Sequence, residues 1–293
     1  MISDERLRDG VFFGSPRLNE GEVNKVRYLA IALFFFYAFG AVAADPIEMT
    51  YKRVAGRDLK AYVFMPSGHI ESAEAPVVIF FHGGGWRRGS PESGFGYGEF
   101  LVERGIVFIA FEYRFTTDPV PATLDEIIGD AKSAVRWIRQ QAPVLGIDPE
   151  RVISSGHSSG GYLAVSVGLL TRFEPLDGNQ RISSKANAMI LLAPFMPNPE
   201  RNPALLPEDI PTGEFLPRSY VSASSPPALW IHGDADTVAL PEVSIELHTA
   251  LRKVGADSQL VLIKGSGHAF RGEDSTRVKE LMSQFIVDLG YVD

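Results

Sequence analysis

Three stretches of this 293-residue chain carry side chains that could do chemistry together. The first is Gly156-His157-Ser158-Ser159-Gly160, a G-x-S-x-G pattern that follows the strand-like "RVIS" and precedes the helix-compatible "GYLAVSVGLL". A sharp strand-to-helix turn strains the backbone of its central residue and needs glycines beside it, because side chains there would collide. Glycine register separates the two serines: Ser158 has Gly156 two before it and Gly160 two after, whereas Ser159 has His157 two before it. The bland alternative is a Gly/Ser turn at a strand end. The second stretch is "FFHGGGW", with His82, Gly83, Gly84, Gly85 and Trp86 directly after an apolar run. Successive glycines let backbone N–H groups approach a developing oxyanion closely. A phosphate cradle is disfavoured, since no Lys-Ser/Thr pair follows and the spacing fits neither Walker A nor G-x-G-x-x-G. The third joins the acidic loop of "WIHGDADTV" to Gly-flanked His268 in "KGSGHAF". A serine hydroxyl attacks only when a neutral imidazole takes its proton and a carboxylate holds that imidazole in the right tautomer. The chain order is Ser158, an Asp, then His268, which suits such a relay on an open α/β sheet.

The remaining histidines earn smaller roles. His69 and His248 read as solvated, His232 as a brace for the acidic loop, and His82 as a hydrogen-bonding support for the glycines. His157 is rejected as the base because a residue on the turn of Ser158 is expected to project away from it. No histidine pair has metal-ligand spacing with a carboxylate partner, so neither metal nor cofactor is expected.

The elements that must position these residues show in the hydropathy rhythm. Runs at 76–81, 105–113, 188–194, 228–232 and 259–264 are compact and apolar, as strands buried on both faces are. Between them lie helical stripes: Leu124, Ile127, Ile128, Ala131, Val135 and Ile138; Val243, Leu247, Leu251 and Val254; Val278, Leu281, Met282, Phe285 and Leu289. The last of these is expected to be capped at Ser275 or Thr276 and closed by Gly290. An opening hairpin turns at "AGRD". The order β-β-β-α-β-α, running on into β-α, predicts the α/β class, an open and mostly parallel sheet with helices on both faces and ligands at the carboxyl rim. Residues 196–226 break the rhythm with prolines at 197, 199, 203, 207, 211, 217 and 226, and read as a lid or pocket wall. Trp86, Phe195, Phe215 and Phe270 stand near the rim motifs and are candidates for lining a substrate pocket.

Composition limits the partners. A formal charge of −8 argues against nucleic acid, whose phosphates demand a basic excess. Residues 1–44 differ from the rest: Lys25 and Arg27 precede an apolar run from Tyr28 that ends in small residues at Ala41–Ala44, the grammar of a secretory signal peptide. Cleavage after Ala43 or Ala44 would export the domain 45–293 to the periplasm or beyond; left uncleaved, the segment would be a membrane anchor. The chain has no cysteine, so an exported domain would rely on its core rather than on disulfides.

Taken in order, "HGGGW", "FEYRF", "DAKSAVRWIR", "GIDPERV", "GHSSGG", "SPPALWIHGDADTV" and "GSGHAF" resemble the α/β-hydrolase fold over residues 58–289. The nearest resemblance is to bacterial esterases of the hormone-sensitive-lipase-like and BD-FAE-like (feruloyl esterase-like) groups. The resemblance implies a sheet of about eight strands and a serine esterase for short-chain or aromatic esters. It makes Ser158 the nucleophile, His268 the base and Asp236 the acid, by the family pattern H-G-x-x-D counted from His232. Asp234 remains the runner-up acid. The same resemblance puts the oxyanion hole at the N–H groups of Ser159, Gly84 and Gly85. Relatives often carry Ala at the position of Ser159. An amide hydrolase and a binding protein on a hydrolase scaffold are the alternatives.

Overall fold

The computed structural model describes residues 45–176, 179–197 and 205–293. The expected signal segment 1–44 and part of the 196–226 segment lie outside the described residues. The described residues from Asp45 onward form one compact unit.

The unit opens with strands β1 (Ile47–Val54) and β2 (Arg57–Phe64), an antiparallel hairpin that starts with Ile47 opposite Val63. Its two turn residues, Ala55 and Gly56, both take positive φ, as a tight two-residue hairpin loop requires. Six more strands follow: β3 (Ala75–Phe81), β4 (Val107–Phe111), β5 (Ile147–His157), β6 (Ala188–Leu192), β7 (Ala228–Gly233) and β8 (Ser258–Ile263). They complete an eight-stranded sheet in the order β1-β2-β4-β3-β5-β6-β7-β8. Pairing is parallel from β4 through β8, and β2 joins β4 antiparallel. The mostly parallel eight-stranded α/β sheet expected from sequence is therefore what the chain forms.

Helices close both faces. On one side lie α2 (Leu124–Leu145), α3 (Ser159–Leu169) and α4 (Glu242–Lys253); on the other lie α1 (Phe95–Val102) and α5 (Glu273–Asp288). Every β3 residue is buried, and its side chains alternate between the two layers: Val77, Ile79 and Phe81 toward α2 and α3, Val78 and Phe80 toward α1. Helix α2 starts from a full capping box, Thr123 with Glu126, and ends at Gly146 in the left-handed conformation. Helix α5 begins earlier than the serine and threonine suggest. Gly272 is its N-cap, and Glu273 and Asp274 occupy the first turn, where negative charge is favoured. Helix α1 carries no amphipathic stripe. Its Gly98 faces strand β4 so closely that a Cβ would lie 2.6 Å from the Phe108 ring.

Two of the sequence motifs prove to be structural. Asp130 of "DAKSAVRWIR" is fully buried and takes Arg114 Nε of "FEYRF" at 2.8 Å and Lys52 Nζ at 3.0 Å. The pair of bridges ties the hairpin, α2 and the segment leaving β4 into one corner beside the rim. Removing one member would strand a buried charge, which is far more costly than the bridge is stabilising.

Candidate active site

Ser158 stands between β5 and α3 with φ 57 and ψ −124, a backbone that L-residues rarely hold. The flanking glycines explain how the chain tolerates it. A Cβ on Gly160 would sit 2.0 Å from the Phe81 carbonyl oxygen, and one on Gly156 would sit 2.3 Å from that of Gly160. The Ser158 N–H is held by the Leu192 carbonyl at 3.0 Å, and its own carbonyl takes N–H bonds from Tyr162 and Phe195. Packed this way, the residue is only 9% exposed.

The loops after β7 and β8 bring the other two groups to it. His268 Nε2 lies 2.9 Å from Ser158 Oγ, and His268 Nδ1 lies 2.7 Å from Asp236 Oδ2. The carboxylate fixes the proton on Nδ1 and so presents the Nε2 lone pair to the serine. Asp236 is 3% exposed, yet its Oδ1 accepts N–H bonds from Val238 (2.8 Å) and Ala239 (3.0 Å). Burial works to raise its pKa, but the bonds from His268, Val238 and Ala239 outweigh it and hold the group below the usual carboxylate range. Behind it, His232 Nε2 sits 3.2 Å from Oδ2 and 2.7 Å from the Ala239 carbonyl, while its Nδ1 meets Ser244 Oγ at 2.8 Å. Ser244 completes this support from α4, a place that no short motif marks. Asp234 is exposed and accepts the Gly265 N–H at 2.6 Å, so it shapes the loop leading to His268 rather than pairing with it.

The glycine stretch leaves β3 opposite this relay. Burial pushes His82 down to about 4, so it is neutral, and its Nδ1–H donates to the Gly83 carbonyl at 2.8 Å. Tyr113 stacks on the His82 ring at 4.3 Å and donates its hydroxyl to the His82 carbonyl at 2.8 Å. Gly84 turns with φ +131, where a Cβ would strike the Arg88 carbonyl oxygen at 1.7 Å. With the Gly83 carbonyl pinned on one side of its peptide plane, the Gly84 N–H points the other way, and no partner takes it among the described residues. Ser159 opens α3, so its N–H likewise has no intrahelical acceptor. Gly85 differs from the expectation. Its N–H donates to Ser159 Oγ at 2.9 Å and is not free to meet an oxyanion.

The four aromatic candidates divide. Trp86 is buried in the core, edge-on to Tyr162 at 5.5 Å and tilted to Phe195 at 5.9 Å. Phe215 is also fully buried, stacks on Phe173 at 4.5 Å and receives the Tyr162 hydroxyl on its carbonyl at 2.8 Å. Together these residues form a packed aromatic cluster in the core next to α3. Phe270 stands apart from them, edge-on to His157 at 6.2 Å.

Among the histidines, His157 does not point away from the site. Its Nε2–H donates to the His268 carbonyl at 2.7 Å and so clamps the base's backbone to the serine turn. His69 and His248 are half-buried rather than solvated, bonded to the Leu145 carbonyl at 2.8 Å and to Ser258 Oγ at 3.0 Å. Burial depresses both His82 and His157 from 6.5 to about 4. The unfolded chain therefore binds more protons than the folded one between those values, and stability falls as pH drops through that window. Urea unfolding from pH 7 to 4.5 is expected to show this decline. His82 alone accounts for on the order of 3 kcal/mol by the acid end. A His157→Asn variant should show a shallower slope, and a flat profile would contradict the assignment.

A parallel sheet presenting a strained serine, a histidine–aspartate pair and unengaged N–H groups at its carboxyl rim defines a hydrolase of the α/β class. Comparison with known proteins gives the family. The BD-FAE family model matches residues 63–192 and the prolyl oligopeptidase family model matches 197–289. The thermophilic esterase 2 of Thermogutta terrifontis, solved with propionate bound, is 31% identical with a TM-score of 0.80, over 85% of this chain and 96% of that one. Carboxylesterase NlhH of Mycobacterium tuberculosis is 30% identical over 117 residues, 39% of this chain and 35% of that protein. The non-reducing polyketide synthase atr1 of Stereocaulon alpinum is 32% identical over 128 residues, 40% of this chain. The chain thus spans about a third of the length of the first of these curated relatives and 5% of the second. The chain belongs to the α/β-hydrolase carboxylesterase family.

Proposed function

We propose that the protein hydrolyses small carboxylic esters through an acyl-enzyme on Ser158. The observation that carries this reading is the continuous hydrogen-bonded line Ser158–His268–Asp236, set against the free N–H groups of Gly84 and Ser159. Ser158 Oγ attacks the ester carbonyl carbon as His268 Nε2 takes the hydroxyl proton, and the carbonyl oxygen becomes an anion facing those N–H groups. The tetrahedral adduct collapses with cleavage of the C–O bond, and the alcohol leaves carrying the proton from His268. Water, deprotonated in turn by His268, then attacks the acyl-enzyme, and the acid departs as Ser158 regains its proton.

Trp86, Tyr162 and Phe215 are buried against one another rather than lining an open channel, which favours short acyl groups. Propionate and butyrate are the acids seen bound to the Thermogutta esterase. Aromatic acyl groups are the alternative, supported by the BD-FAE match. An amide hydrolase is a second reading, supported by the prolyl oligopeptidase match over the loops that carry Asp236 and His268. We further propose that residues 205–226 wall the pocket and that the run from Tyr28 to Ala44 exports the protein.

One panel tests these together: p-nitrophenyl esters from acetate to decanoate, methyl ferulate and matching anilides, assayed on cytoplasmic and exported fractions. Acetate to butyrate esters should dominate, with activity in the exported fraction. Preference for decanoate would overturn the acyl-size argument, preference for anilides the ester reading, and confinement to the cytoplasm the export reading.

A further inference from the structure

The hydroxyl of Ser159, the neighbour of the nucleophile, is bonded to neither Ser158 nor His268. It is fully buried and accepts the Gly85 N–H at 2.9 Å across 74 residues of chain. At the other end of the glycine stretch, Tyr113 donates its hydroxyl to the His82 carbonyl at 2.8 Å. The two bonds tie the glycine loop to the serine turn and to the segment after β4, three of the stretches that the sequence sets apart.

We propose that Ser159 has two separate tasks: its backbone N–H meets the oxyanion, and its hydroxyl is a positioning group that locks the glycine loop so that Gly84 is the second donor. The Gly84 peptide is held at both ends, by His82 Nδ1 on the Gly83 carbonyl and by Ser159 Oγ on the following N–H. Gly85 has φ +66 and no neighbour within 4 Å of where a Cβ would be, so without the lock its peptide has room to turn. A donor displaced by a fraction of an ångström loses much of its hold on the transition state while the ground-state ester binds as before.

The inference rests on the esterase reading, and one set of measurements separates the two. Wild type, Ser159→Ala, Tyr113→Phe and the double variant are compared on p-nitrophenyl butyrate. Competent sites are counted by fluorophosphonate titration, so that kcat is per folded enzyme. Ser159→Ala keeps its backbone N–H; its kcat should fall about tenfold with KM within about twofold. Its inhibition constant for a trifluoromethyl ketone, a mimic of the tetrahedral adduct, should rise by the same factor. Tyr113→Phe should lose less, and the double variant less than the product of the two losses, because both groups hold the same glycine stretch. A Ser159→Ala kcat within twofold of wild type, or above it, would mean that Gly85 swings in as a replacement donor and overturns the proposal. A loss confined to KM or strictly additive losses would also overturn it. Wild type that neither turns over the ester nor takes the label would instead sink the esterase reading.

Discussion

Ser158→Ala is expected to lower kcat for p-nitrophenyl acetate by about a millionfold, to the background that binding and the N–H donors alone sustain. The size follows from the absence of a substitute: His268 Nε2 would face a methyl group, and the adjacent hydroxyl of Ser159 is engaged by the Gly85 N–H. The fold should be indifferent. The turn is held by the Ser158 N–H on Leu192 and by its carbonyl on Tyr162 and Phe195, all backbone bonds that Ala retains. The melting midpoint should therefore stay close to that of wild type. The Thermogutta esterase has been solved phosphonylated by cyclosarin, and a fluorophosphonate should label this protein on Ser158 in the same chemical sense. Peptide mapping after labelling checks it: an adduct elsewhere, or a Ser158→Ala enzyme retaining a tenth of the rate, would sink the assignment.

Asp236→Asn should cost about a thousandfold or more, and Asp234→Asn less than about threefold. The two carboxylates are one residue apart and are separated by what they accept. Asp236 takes N–H bonds from Val238 and Ala239 on one oxygen and His268 Nδ1–H on the other, with His232 Nε2 close behind. An asparagine has one accepting oxygen. Pointing it at the backbone pair turns its NH2 toward His268, which then carries its proton on Nε2 and cannot receive one from Ser158. Among the described residues the Asp234 carboxylate bonds only the Gly265 N–H, from an exposed position, and an amide oxygen serves that equally well. Steady-state rates of the two variants side by side decide the matter, and the reverse order would move the acid to Asp234.

The sheet could be anticipated because its strands are buried on both faces and so appear as unbroken apolar runs, as β3 and β7 do. The start of α5 could not: Ser275 and Thr276 are good caps, but a glycine at positive φ with two carboxylates behind it begins the helix first. Ser158, Asp236 and His268 were legible as types in a chain order, with the choice between the two carboxylates resting on family resemblance until geometry separated them. What no residue pattern carries is the orientation of a peptide plane. Gly84 and Gly85 are the same residue in the same run, and one N–H is open while the other is engaged. The clamp from His157 to the His268 carbonyl was hidden for the same reason, since it joins groups 111 residues apart.

Strand β8 has a further bearing on how the enzyme fails. Ser158 is carried by β5 in the middle of the sheet, whereas His268 follows β8, the strand at the margin, which among the described residues pairs with β7 alone and has mostly half-exposed side chains. Margins of this kind open locally at lower free energy than the centre. Warming or mild denaturant is therefore expected to separate His268 from Ser158 while most of the core is still intact. Activity should then be lost before the spectroscopic melting, and mutations that fasten β8 to β7, such as those strengthening the Trp230–Ser258 bond of 3.1 Å, should extend working life without touching the chemistry.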